Sequence, residues 1–267
     1  NPSTDDRPFF FNMLSLGGIF LPILNPGVMR GNYVATCTLI ELIVILLVLV
    51  LVTIVLPLKI SDWQRKKAGG RVCVFRPGAF YFSLIGAGFM FVEIGLMQNL
   101  SVFLGHPFYA LGIVLFTIIA STGCGSALSE RLPLEKRPWI FVYPVLTVCA
   151  IFLVRLAYLQ IGGAMVAATM FWKIIASIMM IAPLGILMGL FFPTGMTLVR
   201  KVADSDTPWF WALNGIFGVL CSALAVFFSI YFGISTNYYL GGICYALTLL
   251  CLARISKTSL PVLPNGL

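Results

Sequence analysis

Four ionisable side chains, Glu41, Glu93, Arg155 and Lys173, stand inside long apolar runs of this sequence. In hydrocarbon each costs several kcal/mol unless it is paired, reaches the interface or faces a cavity, so these residues are the first candidates for chemistry. Taking the span ends at Leu104 and Gly163, Glu93 and Lys173 both lie roughly 16 Å deep at 1.5 Å per residue, which predicts an intramembrane ion pair between them. Such a pair either fixes helix register or, if it titrates, binds a solute. Arg155 lies about 7 Å from the same edge and can snorkel out; Glu41, about 12 Å deep, is placed to meet Arg155 or an ordered water.

Gln98 and Asn99 follow Glu93 on the same helix but point more than about 100° away from it, so interhelical hydrogen bonds are expected of them rather than a shared ligand set. His106, the single histidine, opens a His-Pro turn and reads as a loop residue with a possible ligand contact. These four positions (Glu41 and Arg155 with Gln98 and Asn99), together with His106, form a secondary polar set beside the Glu93–Lys173 pair. No catalytic constellation is found: there is no Ser/His/Asp arrangement, no HExxH and no P-loop, and Gly123-Cys124-Gly125 lacks the preceding strand that a nucleotide loop needs. The seven cysteines form no CxxC or Cys/His cluster, so neither zinc nor a disulfide framework is indicated, and no cofactor is expected.

The elements that must position these residues follow from composition. With 60% hydrophobic and 10% charged residues and a mean hydropathy of +1.02, the chain needs lipid as solvent. The expected fold is all-α, a polytopic bundle with spans near 33–56, 79–104, 109–129, 139–159, 163–192, 209–232 and 237–253. The fifth is too long for one straight crossing; Pro183 and Pro193 predict a kink and a short surface extension through Arg200. Small residues at helix-packing spacing, Gly88 with Gly95, Ser121 with Gly125 and Gly218 with Ser222, predict close helix crossings.

Loop charge gives orientation. Lys59, Arg65, Lys66, Lys67, Arg71, Arg76, Arg131, Lys136, Arg137, Arg200, Lys201, Arg254 and Lys257 fall on one side, and only Arg7 and Arg30 on the other. The positive-inside rule then places the amino terminus outside and the carboxyl terminus in the cytoplasm. Because the basic residues follow the membrane, the net charge of +8 does not indicate a nucleic-acid partner. Residues 1–32 are expected to be an outer-face segment ending a missing upstream domain, 33–255 the transmembrane domain and 256–267 a cytoplasmic tail. The broken apolar stretch 14–28 is expected at the outer interface, and the polar loop 59–77 inside, solvated or against anionic lipid.

Residues 4–11 (TDDRPFFF), 88–116 with VEIGLMQ and FLGHP, 183–196 (PLGILMGLFFPTGM) and 208–226 with PW…NG resemble the prokaryotic spermidine-synthase-like membrane proteins. The resemblance covers most of the chain. It implies a polyamine-synthase-like domain before the TDDRPFF segment, with membrane helices after it. Some members are fused to a major-facilitator-like transporter, and the last six spans are similar to one six-helix half of that fold. The segment 125–132 resembles the basic turn within such a half, except that Ser129 or Glu130 replaces its aspartate. Three functions are therefore expected in order: a non-catalytic inner-membrane module anchoring a partner domain or subunit; a half-transporter-like module that binds a cationic solute such as a polyamine at Glu93; and part of a membrane-bound polyamine aminopropyltransferase. Membrane lipid and a protein partner are the expected contacts, with a cationic small molecule as the further possibility.

Overall fold

A computed structural model of the protein describes residues 4–9, 33–55, 75–165, 167–203 and 206–259. The expectations for the stretches 14–28 and 260–267, and for most of the loop 59–77, lie outside these residues. The described chain is an all-α bundle: α1 (Tyr33–Val50, continued by a π turn Leu51–Val55), α2 (Phe75–Leu104), α3 (Pro107–Ser129), α4 (Trp139–Ala164), α5 (Met170–Gly189), α6 (Phe191–Ala203), α7 (Thr207–Phe232) and α8 (Ser235–Ser259). Among the described residues seven helices are long and apolar enough to cross a membrane, α5 and α6 together counting as one crossing. The protein is a multi-pass membrane protein. Apart from α6, the helices are apolar all round, as expected where lipid covers what neighbouring helices do not.

Turn chemistry sets the ends. Gly105 at φ +71° terminates α2 and Pro107 opens α3 after an extended His106. Gly233 at φ +98° terminates α7, and Pro208 occupies the first turn of that helix, where a missing N–H costs nothing. The fifth crossing breaks at Leu190, between Pro183 and Pro193, and α6 leaves as a short amphipathic piece with Arg200 and Lys201 in its last turn.

Two boundaries differ from the sequence expectation in ways that matter. The fourth helix runs on to Ala164 and the fifth begins only at Met170, after a turn, rather than near Gly163. The last helix stays helical through Ser259, beyond the span end expected near residue 253.

Helix α2 is the axis of the bundle, packed against α7, α8 and α3; α3 also packs on α5, α4 on α8, and α1 on α7. The core along α2 is aromatic. Tyr81, Tyr143, Phe191 and Tyr245 are all essentially inaccessible. Phe191 lies edge-on to Tyr143 at 4.8 Å and to Tyr245 at 4.7 Å between ring centroids. The Tyr81 hydroxyl donates to the Phe191 carbonyl at 2.8 Å, giving a partner to a buried backbone group beside the α5–α6 break. The α3–α5 crossing is close enough to exclude side chains: a Cβ on Gly125 would overlap the Ile186 carbonyl, and one on Gly189 the Thr122 carbonyl.

Candidate functional site

The polar residues gather at one end of the bundle, where α2, α4 and α7 finish and α5 and α8 begin. Residues 4–9 dock there. A turn closed by the Arg7 N–H to the Thr4 carbonyl at 2.8 Å presents Asp6 to the α7–α8 connection. The Asp6 carbonyl accepts from the Ile234 N–H at 2.9 Å. Its carboxylate accepts from both the backbone N–H and the hydroxyl of Ser235, at 2.8 and 2.5 Å. Asp6 thereby satisfies an orphan donor at the start of α8, an N-cap supplied from a distant part of the chain. Gly233 is required twice over, by its left-handed φ and because a Cβ would approach Asp6 Oδ2 to 2.6 Å.

Arg155 completes the node. Its guanidinium lies 3.6 Å from Asp6 Oδ1 and also donates to Ser235 Oγ. The expected contact between Arg155 and Glu41 is not made: Glu41 is exposed on α1, and Arg155 is engaged by the Asp6 carboxylate, far from it in sequence. Arg7 reaches the Phe232 carbonyl at 3.4 Å, so both charges of the Asp6-Arg7 dipeptide hold the segment to the same turn.

The Glu93–Lys173 pair is also corrected. Lys173 lies in the first turn of α5, about 5 Å of rise from its start, whereas Glu93 is about 16 Å from the end of α2 at Leu104. Its ammonium sits 5.6 Å from the centre of the Phe103 ring, roughly ten residues along α2 from Glu93. The depth agreement came from starting the fifth helix near Gly163; with the observed start at Met170 it disappears. Glu93 is buried, and among the described residues it forms no hydrogen bond or ion pair.

Gln98 and Asn99 each make a hydrogen bond to another helix. Gln98 accepts from Ser229 at 2.5 Å, and Ser229 in turn accepts from Asn237 at 2.8 Å, tying α2 to α7 and α8. Asn99 donates through Nδ2 to the Tyr238 hydroxyl at 3.0 Å, while its buried Oδ1 has no partner. His106 is exposed and packs against Phe108 and Tyr109, outside this cluster.

Between these groups lies a cavity of about 360 Å³ whose wall includes Asp5, Asp6, Asn99, Phe103, Arg155, Tyr158 and Lys173. Two further cavities are larger: an apolar cleft of about 620 Å³ between α2, α3, α6 and α7, bordered by Met90, Ile119, Phe192 and Asn214, and one of about 560 Å³ at the opposite end, bordered by Glu130, Glu135 and Arg200. Glu93 lines none of the three. Among the described residues no group of three or more His, Cys, Asp or Glu is arranged to hold a metal ion. Sequence reasoning missed Asp5, Asp6 and Tyr158. The available signal was an acidic pair in a short segment assigned to the same face as Arg155.

No protein-family model, curated protein or solved structure matches the chain. Class and fold are therefore defined by the seven apolar crossings and the polar end alone.

Proposed function

We propose that the chain is a non-catalytic module of a spermidine-synthase-like membrane protein, anchoring or organising a partner domain or subunit in a prokaryotic inner membrane. Its basic end, with Arg131, Arg137, Arg200 and Lys201, faces the cytoplasm, and the Asp6 end faces outward. The observation that carries this reading is that Glu93 is 7% exposed and lines none of the three cavities described. A carrier for a cationic solute needs a water-accessible path to a midplane carboxylate, and none of the three cavities reaches this one. The docked segment supports it further: Asp6 and Arg7 fix the chain to the α7–α8 turn, so a partner joined or bound at residues 4–9 is held against the bundle.

Purification of the full chain in mild detergent tests the reading. A stoichiometric protein partner is expected, and Asp6→Ala should weaken its retention. Uptake of a polyamine into proteoliposomes containing this chain alone, abolished by Glu93→Gln, would overturn the proposal in favour of a carrier. Aminopropyl transfer by the purified chain would overturn it in favour of an enzyme.

A further inference from the structure

The 360 Å³ cavity at the Asp6 end is not needed for anchoring, and its lining is not that of a packing void. It falls within the size range of small-ligand sites, and its wall combines aromatic surface with a few convergent polar groups. Four formal charges line it. Asp6 and Arg155 neutralise each other at 3.6 Å. That leaves one carboxylate, Asp5, and one ammonium, Lys173, neither of which forms an ion pair with another side chain among the described residues.

Two neutral groups also lack partners. Asn99 is 1% exposed, and its Oδ1 makes no hydrogen bond. Its Nδ2 is committed to Tyr238, and its Oδ1 has less than 1 Å² of accessible surface, so the amide backs the cavity wall rather than meeting a ligand. The Tyr158 hydroxyl likewise has no hydrogen-bond partner among the described residues. Rim residues Asp5, Gly105, Leu159 and Gly163 are exposed, so the cavity opens at the end of the bundle.

We infer that this cavity binds a small zwitterion, a molecule carrying one oxyanion and one primary ammonium. The oxyanion is held by Lys173 and the Tyr158 hydroxyl, and the ammonium donates to Asp5. A cation alone would leave Lys173 unmatched, and an anion alone would leave Asp5 unmatched, so the two opposite charges select a ligand that carries both. The same chemistry is presented by an ethanolamine phospholipid headgroup at the membrane surface and by a free α-amino acid.

The full chain, in a detergent without zwitterionic groups, is titrated calorimetrically with glycerophosphoethanolamine and with serine. Ethylammonium and glycerol phosphate serve as the single-charge controls. At least one zwitterion should bind saturably, and both controls should bind at least about tenfold more weakly, the scale of one charge-assisted hydrogen bond. Binding of glycerophosphoethanolamine alone identifies a lipid headgroup as the source, and binding of serine identifies a free amino acid; either result supports the site. Asp5→Asn and Lys173→Gln should each weaken binding by about tenfold or more, while Lys173→Arg retains it. Unfolding midpoints accompany each variant, and if one substitution prevents folding, the other decides. Absence of binding by both zwitterions, equal binding of a single-charge control, or wild-type affinity in the folded variants would overturn the inference.

Discussion

The Arg155 guanidinium lies 3.6 Å from the Asp6 carboxylate, joining the C-terminal half of α4 to the 4–9 segment. The same carboxylate caps α8 through Ser235, so one side chain couples the amino-terminal segment to two helices. Replacing a capping Asp by Ala typically costs about 0.5–2 kcal/mol. The ion pair adds little, because the Asp6 side chain is 35% exposed and solvent screens it. Asp6→Ala is therefore expected to lower stability by roughly 1–2 kcal/mol in reversible detergent unfolding. Asp6→Asn, which keeps an acceptor for the Ser235 N–H, should recover about half of the loss. Equal stability of Asp6→Ala and wild type would show that the segment is not fixed by this cap.

Tyr81 and Tyr143 differ in what their hydroxyls support. Tyr81 donates to the Phe191 carbonyl at 2.8 Å, and its contact with the Tyr143 hydroxyl is longer, 3.4 Å. Tyr81→Phe strands a buried carbonyl next to the helix break and should cost about 1–3 kcal/mol. Tyr143→Phe removes only the weaker contact and should cost less than about 1 kcal/mol. Thermal midpoints measured side by side check the order of the two.

The α3–α5 crossing makes the third prediction. Gly125→Ala and Gly189→Ala each force a methyl group onto a facing backbone carbonyl, with no flexible side chain to yield. Overpacking of this kind costs about 1–3 kcal/mol. Gly112 and Gly123 lie on the same helix with open space where a Cβ would go. Their replacement by Ala should be neutral or stabilising by up to about 1 kcal/mol, from helix propensity. Similar losses at all four positions would mean that α3 is packed on another face.

The seven crossings were legible in the sequence because membrane helices are apolar on every side, so hydropathy alone marks them. That Gln98 and Asn99 point away from Glu93 followed from helix geometry, and the structure sends one to Ser229 and the other to Tyr238. What failed was the turn between α4 and α5. Residues 160–169 are mostly small or apolar, so hydropathy runs across the break without a dip, and the fifth helix was started several residues early. That shift alone placed Lys173 level with Glu93. The Asp6–Arg155–Ser235 node was not legible because its members come from three distant segments, and no periodicity or spacing links them.

The corrected positions make a prediction that the depth estimate from sequence would not. If Glu93 and Lys173 were paired, removing either would leave a buried charge, and the double variant would recover much of the loss. With Lys173 beside Phe103 and Glu93 farther down α2, the two substitutions share no partner. Their effects should add to within about 0.5 kcal/mol in a double-mutant cycle of Glu93→Gln and Lys173→Gln. Glu93→Gln alone should be neutral or stabilising, since the amide replaces a buried carboxyl that has no ion pair among the described residues. Lys173→Gln should act instead on the zwitterion site, through loss of ligand affinity with little change in stability. A coupling energy above about 1 kcal/mol would restore the direct contact, and with it the case that Glu93 is held in register by a charge from α5.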